Sequence, residues 1–269
     1  MRCIDNLLEL TRQGKFEVLG LLDADPAYIV SANYEGYTCL HVAASYGHLE
    51  LASKLIERGA VVDFKSVDGS TPLCEACAVG NLEVVQLLLS KGANVNPLLT
   101  LNTPLHEATI RGSVDICRLL IACGANFNVS DCYFGTPLHA AAIHGQVETA
   151  RILLEAGAHV NARKIHSTPL HYAAAREDYN MIRLLVCHGA DVTVADNRGQ
   201  KPVDILPADH PCISLLMCVE QMPQRLIDIC RRKVRSTYPV NNLGDLELPV
   251  QLIQYLLHQS TDCICIAEA

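Results

Sequence analysis

The sequence predicts an all-α fold, a solenoid of short helix pairs stacked one on the next, and three observations carry the prediction. A four-residue phrase returns as Thr38-Cys39-Leu40-His41, Thr71-Pro72-Leu73-Cys74, Thr103-Pro104-Leu105-His106, Thr136-Pro137-Leu138-His139 and Thr168-Pro169-Leu170-His171, with Lys201-Pro202-Val203-Asp204 as a worn sixth copy. The steps are 33, 32, 33, 32 and 33 residues, a fixed period that marks stacked units. Around each phrase the order is constant: a turn, a short Ala-rich helix, a Gly or small polar break, a Leu-rich helix, then Gly-Ala-x-Val-Asn. Half of the 269 residues are apolar, aromatics are 5% and Trp is absent, which suits thin helical layers of Leu, Ala, Val and Cys.

Each element has a local reason. Pro72, Pro104, Pro137 and Pro169 fall where a fixed φ and a missing N–H cost least, in the first turn of a helix. Ala43-Ala44, Ala76-Cys77, Ala140-Ala141-Ala142 and Ala173-Ala174-Ala175 let that first helix lie close against its neighbours. The second helix carries the wider stripe of a packed helix, as in Leu82, Val85, Leu87, Leu88 and Leu89 or Ile152, Leu153 and Leu154. Gly59, Gly92, Gly124, Gly157 and Gly189 stop it at the left-handed position that glycine takes cheaply.

Charge and composition exclude several classes of function. A net charge of −8 and a pI near 5.7 leave no cationic surplus for general nucleic-acid binding, so a protein partner is expected. No apolar run reaches 18 residues and the amino terminus lacks the long apolar stretch of a signal peptide, so the expectation is a soluble, cytoplasmic chain with no membrane segment. The 13 cysteines are odd in number and mostly stand where other copies hold Ala, His or Leu, which reads as reduced, structural thiols.

No catalytic or metal constellation emerges. His41, His106, His139 and His171 recur one per unit, a spacing that keeps successive imidazoles off a common ion. Cys74-Glu75-Ala76-Cys77 is a C-x-x-C without the second half of a ligand set, and Cys74 holds the repeat's His position, so packing is the expected role. Cys263 and Cys265 belong to the terminal tail. G-x-S-x-G, phosphate-cradling Gly loops and H-E-x-x-H are missing from the sequence, and the carboxylates are scattered. An enzyme is not expected, nor a cofactor or a metal.

Thr-Pro-Leu-His-x-Ala-Ala with Gly-Ala-x-Val-Asn about 21 residues later resembles the ankyrin repeat family. On that resemblance residues 36–67, 69–99, 101–132, 134–164 and 166–197 are complete repeats. Residues 3–34 form a degenerate first repeat, with Gly14 standing 33 before Gly47 and a helix from Phe16 to Leu22, and residues 199–216 begin a seventh unit that loses its pattern at Pro207 and Pro211. The resemblance also implies that the recurrent His stitches backbone groups of adjoining turns. For Asn96, Asn128 and Asn161 it implies a target of asparaginyl hydroxylation, against the alternative that each side chain bonds its own turn.

From Met222 the composition changes. Leu226, Cys230 and Val234 fall at i, i+4 and i+8, giving a narrow apolar helix face, and a second apolar run follows from Leu246 to Leu257. This tail resembles a SOCS box, and the whole chain resembles the ankyrin repeat and SOCS box protein family. The implied fold is an all-α ankyrin repeat solenoid over 1–216, followed by a small helical SOCS box over 222–258 and a flexible tail over 259–269. In that family the first box helix carries Leu-x-x-x-Cys-x-x-x-aliphatic and inserts into elongin C of the elongin B and C pair; Leu226, Ile227, Cys230 and Val234 occupy that stretch here. A following Leu-Pro-x-Pro and Leu-x-x-Tyr-Leu help select a cullin, which Leu246, Leu248, Pro249 and Tyr255 match. Glu247 replaces the first proline, and the segment between Val234 and Leu246 is a few residues shorter than the family pattern.

Positions that vary between copies are where specificity should lie, because the repeated ones are committed to packing. The two residues before the break read Ser45-Tyr46, Ala78-Val79, Ile110-Arg111, Ile143-His144 and Arg176-Glu177. Tyr46, Val79, Arg111, His144 and Arg176 are therefore expected to line up as a groove for an acidic, partly apolar protein surface. Loop tips at Phe64, Leu98, Leu99, Leu101, Tyr133, Phe134, Lys164, Ile165 and His166 form a second expected stripe. The implied function is the substrate receptor of an elongin B and C, cullin and RING ubiquitin ligase, with the target protein unidentified. The alternative is an ankyrin scaffold or inhibitor whose last helices only cap the stack.

Overall fold

The computed structural model describes residues 2–97, 103–131 and 133–221. Every regular element among them is helical. Two compact units divide the chain, Met1–Ala158 and His159–Ala269.

In the first unit α1 (Arg2–Arg12), α3 (Cys39–Ser45), α5 (Pro72–Val79), α7 (Pro104–Arg111) and α9 (Pro137–His144) form one row, each packed on the next. Behind them run α2 (Glu17–Ala24), α4 (Leu49–Glu57), α6 (Leu82–Ser90), α8 (Val114–Ala122) and α10 (Val147–Glu155), each paired with the front helix that precedes it. The back row from α4 to α10 also packs helix on helix. A short 3₁₀ segment, Pro26–Val30, follows α2.

The repeated phrase caps the helices it starts, and does so twice at Thr38, Thr136 and Thr168. The hydroxyl of Thr38 accepts from the His41 backbone N–H at 3.5 Å, and that of Thr103 from His106 at 3.4 Å. The imidazole completes the box: the Thr38 backbone N–H reaches His41 Nδ1 at 3.2 Å, and those of Thr136 and Thr168 reach His139 and His171 at 3.2 and 3.1 Å. A backbone amide can only donate, so Nδ1 must carry a lone pair and the neutral ring keeps its proton on Nε2. That Nε2–H donates across to the next hairpin, from His41 to the Ser70 carbonyl at 3.2 Å and from His106 to the Gly135 carbonyl at 2.8 Å. The expected stitch between adjoining turns is thus present, made by an uncharged imidazole.

Burial explains the rest of the repetition. Leu51, Leu55, Leu88, Ile116, Leu120 and Leu153 of the back helices are at most 1% exposed, and Ala43, Ala76, Ala108 and Ala141 of the front helices are fully buried. Small front residues let the rows approach, and the back Leu side chains fill the layer between units. The back helices α4, α6, α8 and α10 each end at a glycine with φ between +83° and +101°, at Gly59, Gly92, Gly124 and Gly157, as expected.

The second unit holds α11 (Pro169–Ala175), α12 (Tyr179–Cys187), α13 (Pro202–Ile205) and α14 (Cys212–Gln221). Two sequence expectations are corrected here. Glu177 does not precede the break; it is the break. Helix α11 ends one residue earlier than the pattern implied, so Glu177 takes φ +57° at the glycine position, its N–H on the Ala174 carbonyl at 2.9 Å. The seventh unit also continues beyond Pro211, because α14 buries Cys212 and Leu216 and packs on α12 and α13.

A third correction concerns the asparagines. Asn96 does not bond its own turn: its Nδ2 donates to the Gly124 carbonyl at 2.9 Å and its Oδ1 accepts from the Asn126 N–H at 2.8 Å. Asn161 makes the same pair with Gly189 and Asp191 at 3.1 and 2.7 Å. Stacking lays each Gly-Ala loop beside its successor, where one amide satisfies a carbonyl and an N–H at once. The own-turn bond falls two residues earlier, where Asn94 Oδ1 accepts from the Asn96 N–H at 2.9 Å.

Candidate functional site

The variable positions occupy equivalent places. Tyr46 caps α3, Val79, Arg111 and His144 are the last residues of α5, α7 and α9, and Arg176 caps α11 in the second unit. All five are exposed. In the first unit the successive packing of α3, α5, α7 and α9 places the first four on one row. Arg111 leans over its neighbour: its Cγ and Nε lie 3.4 and 3.5 Å from where a side chain on Gly80 would start, beside Val79. A Cβ on Gly80 would meet Arg111 at ordinary contact distance and crowd Ser113 Oγ at 2.9 Å.

The sequence missed a residue that packs against the start of this row. The Arg12 guanidinium sits 5.7 Å from the Tyr46 ring centroid, within reach of a cation–π contact, and the same ring stacks on His48 at 6.2 Å and 16°. His48 Nε2 donates to the Arg12 carbonyl at 2.9 Å, which fixes the end of α1 against the ring. Equating Gly14 with Gly47 puts Gln13 in register with Tyr46 and Arg12 with Ser45, so the period alone does not point to this contact.

At the far end Phe134 meets His144, ring centroids 5.4 Å apart. One hairpin tip therefore closes on the row, joining the two expected stripes at that point. Tyr133 beside it is 56% exposed and Ile165, in the second unit, 82%. Phe64 is not a solvent-facing tip: half-buried, its ring meets His41 edge-on at 6.2 Å. Leu98, Leu99 and Leu101 lie outside the described residues, as do Leu226, Ile227, Cys230, Val234, Leu246, Leu248, Pro249 and Tyr255.

The cysteines behave as small hydrophobes. Cys74 and Cys77 are 3% and 0% exposed, and burial pushes the Cys74 and Cys117 thiols up to about 11 and Cys77 well above its ordinary value. Cys39 is raised for the same reason. A thiol held protonated is a poor nucleophile and a poor metal ligand. In the native protein Cys39, Cys74, Cys77 and Cys117 should stay unmodified by iodoacetamide while exposed Cys123 is alkylated, as read by peptide mass mapping. Rapid labelling of Cys74 and Cys77 would mean a working dithiol instead. Among the described residues no group of three or more His, Cys, Asp or Glu is placed to hold a metal ion. No described helix is long and apolar enough to cross a membrane.

A row of capped helix pairs with a repeated frame and a variable exposed edge defines a repeat array built to present side chains. The family model "Ankyrin repeats" matches three overlapping stretches, residues 7–98, 40–131 and 105–196, and the chain belongs to the ankyrin repeat family. It is 45% identical over 129 residues to Ankyrin repeat and SOCS box protein 13 of Homo sapiens, covering 47% of this chain and 46% of that protein. It is 36% identical over 102 residues to Ankyrin repeat and SOCS box protein 9 of Mus musculus, covering 37% and 35%. The matches thus span between about a third and a half of those relatives' length. Among solved structures, the human ASB11 ankyrin repeat domain superposes with TM-score 0.74 at 32% identity, over 81% of this chain and 98% of that one. These relatives bear out the resemblance to ankyrin repeat and SOCS box proteins drawn from the sequence.

Proposed function

We propose that this chain is a substrate receptor: the ankyrin array binds a target protein, the 222–258 tail binds elongin B and C, and residues 246–256 meet a cullin carrying its RING protein. The observation that carries the reading is the presence, in one chain, of an array similar to ankyrin repeat and SOCS box proteins and a tail with Leu226, Cys230 and Val234 at box spacing. The chain contributes proximity and no catalysis of its own, raising the effective concentration of target lysines near the conjugating enzyme.

The target surface is the row Tyr46, Val79, Arg111 and His144 with Tyr133 and Phe134 beside it, and Arg176 is a separate target contact on the second unit. Arg111 gives it positive charge inside a chain of net charge −8, Arg12 being paired with Glu9, and exposed Tyr46, Val79 and Tyr133 give it apolar area. An acidic segment with a few apolar anchors complements it. The reading places the receptor in the cytoplasm with its partners.

Co-expression with elongin B and C should give a stoichiometric complex that Leu226→Asp abolishes, because a charge in a helix–groove contact leaves a carboxylate buried without a partner. If the three chains never co-purify, the scaffold alternative takes over, with the array binding its partner and no ligase attached.

A further inference from the structure

The first two hairpins of the array form a feature that the target row does not use. An open pocket is lined by Tyr34, Glu35, Tyr37, Val67 and Asp68. Tyr34 and Val67 are 79% and 76% exposed, an aromatic and a branched aliphatic standing in water side by side. Single exposed apolar residues need no explanation, but a pair that lines one concavity between two fixed loops does.

The loops are fixed. Asn33 Oδ1 accepts from the Glu35 and Tyr37 N–H groups at 3.0 and 2.8 Å, and Ser66 Oγ accepts from Ser70 N–H at 3.0 Å, so each hairpin closes on itself. Val67 N–H then donates to the Glu35 carbonyl at 2.9 Å and ties one hairpin to the other. Gly36, at φ +82°, lets the backbones meet: a Cβ there would fall 2.8 Å from Ser66 Cα. The Tyr37 wall is equally rigid. Its ring lies 5.2 Å from that of His41, and its hydroxyl donates to Glu75 Oε1 at 2.9 Å, an oxygen that also accepts from the Ser70 hydroxyl at 2.7 Å.

The charged residues among the lining are both acidic. Glu35 and Asp68 are exposed at the rim, and Lys65, the cation of the second hairpin, is not a lining residue. Burial first, then Glu75, Asp68 and Glu35, hold the Tyr37 hydroxyl above its ordinary range, and Glu35 with Asp5 does the same at Tyr34. Three carboxylates therefore act on one half-buried ring.

We propose that this pocket receives a basic side chain, arginine or lysine, presented by an extended segment of a protein partner. The cation lies against the Tyr34 and Tyr37 rings between the Glu35 and Asp68 carboxylates, and its methylene stem covers Val67. An acidic side chain is repelled, and an uncharged aliphatic one gains the Val67 contact but forgoes the cation–π and charge terms. The site is independent of the elongin-binding tail and opposite in sign to the row of Arg111, so the first unit offers two recognition surfaces selecting opposite charges.

The test is a titration of the isotope-labelled full chain with N-acetyl-arginine-N-methylamide, followed by NMR, with the lysine, norleucine and glutamate analogues alongside. Resonances of Tyr34, Glu35, Tyr37, Val67 and Asp68 should move saturably with the arginine and lysine probes and not with the other two. The double variant Glu35→Gln, Asp68→Asn should weaken binding about fivefold or more with the melting temperature unchanged, since both carboxylates are exposed. A norleucine response equal to that of arginine, a double variant that binds as well as the parent, or no saturable shift at these residues would each overturn the proposal. Loss of elongin binding in Leu226→Asp leaves this titration untouched, so the two readings fail separately.

Discussion

Acidification is expected to unfold the array well above the pH at which ordinary carboxylates protonate. Burial holds His41 down to about 4, from 6.5 for the exposed residue, and lowers His106 and His171 for the same reason, with Asp131 partly opposing at His106. The geometry says why the proton is refused. Nδ1 already receives a backbone N–H, so a protonated ring would set two donors against each other and undo the cap. The unfolded chain takes the proton near 6.5 and the folded one only near 4. Stability from this source is therefore complete above about pH 6.5 and drains away as pH falls toward 4. His41 alone is worth about 3 kcal/mol across that window, with His106 and His171 adding in the same direction. Thermal melts followed by circular dichroism should show the midpoint falling steadily between pH 6.5 and 5, before most carboxylates titrate. A flat profile over that interval would mean the imidazoles are charged in the folded state.

The second large effect is a cavity between layers. Leu88 is fully buried in α6, which packs on α4, α5 and α8, so Leu88→Ala should cost about 3 kcal/mol. Because each unit leans only on its neighbours, the loss falls on the interfaces at both sides of that helix. Val79, nine residues earlier and 42% exposed, provides the contrast: Val79→Ala should change stability by under about 0.5 kcal/mol. Urea unfolding of the two variants separates residues that hold the frame from those free to recognise a partner. Equal losses would contradict that division.

What the sequence made legible follows the same division. What repetition alone made readable was Pro in the first turn and the left-handed Gly that ends the second helix. These are roles within a unit, and the period displays each several times. What escaped were relations between units. The Asn96 amide serves Gly124 and Asn126, 28 and 30 residues on, and no local rule for Asn in turns points there. Arg12 and the pocket of Tyr34 and Val67 also escaped, although those two share one register, four residues before Thr38 and Thr71. Degenerate copies hide their members because the phrase that anchors the alignment is worn. Glu177 was misplaced for a related reason: the pattern expects glycine at the left-handed position, and a non-glycine there shifts the apparent break by one residue.

Recognition by the array and recruitment by the tail are argued to be separate functions of one chain, and one measurement addresses that directly. Partners enriched from proteasome-inhibited cells would be quantified by mass spectrometry for the parent chain, for Tyr46→Ala with Arg111→Glu, and for Leu226→Asp. The expected result is that the first variant keeps elongin B and C and loses the target protein, while the second keeps the target and loses the elongins. Enrichment of a target without elongins by the parent chain itself would contradict the receptor function.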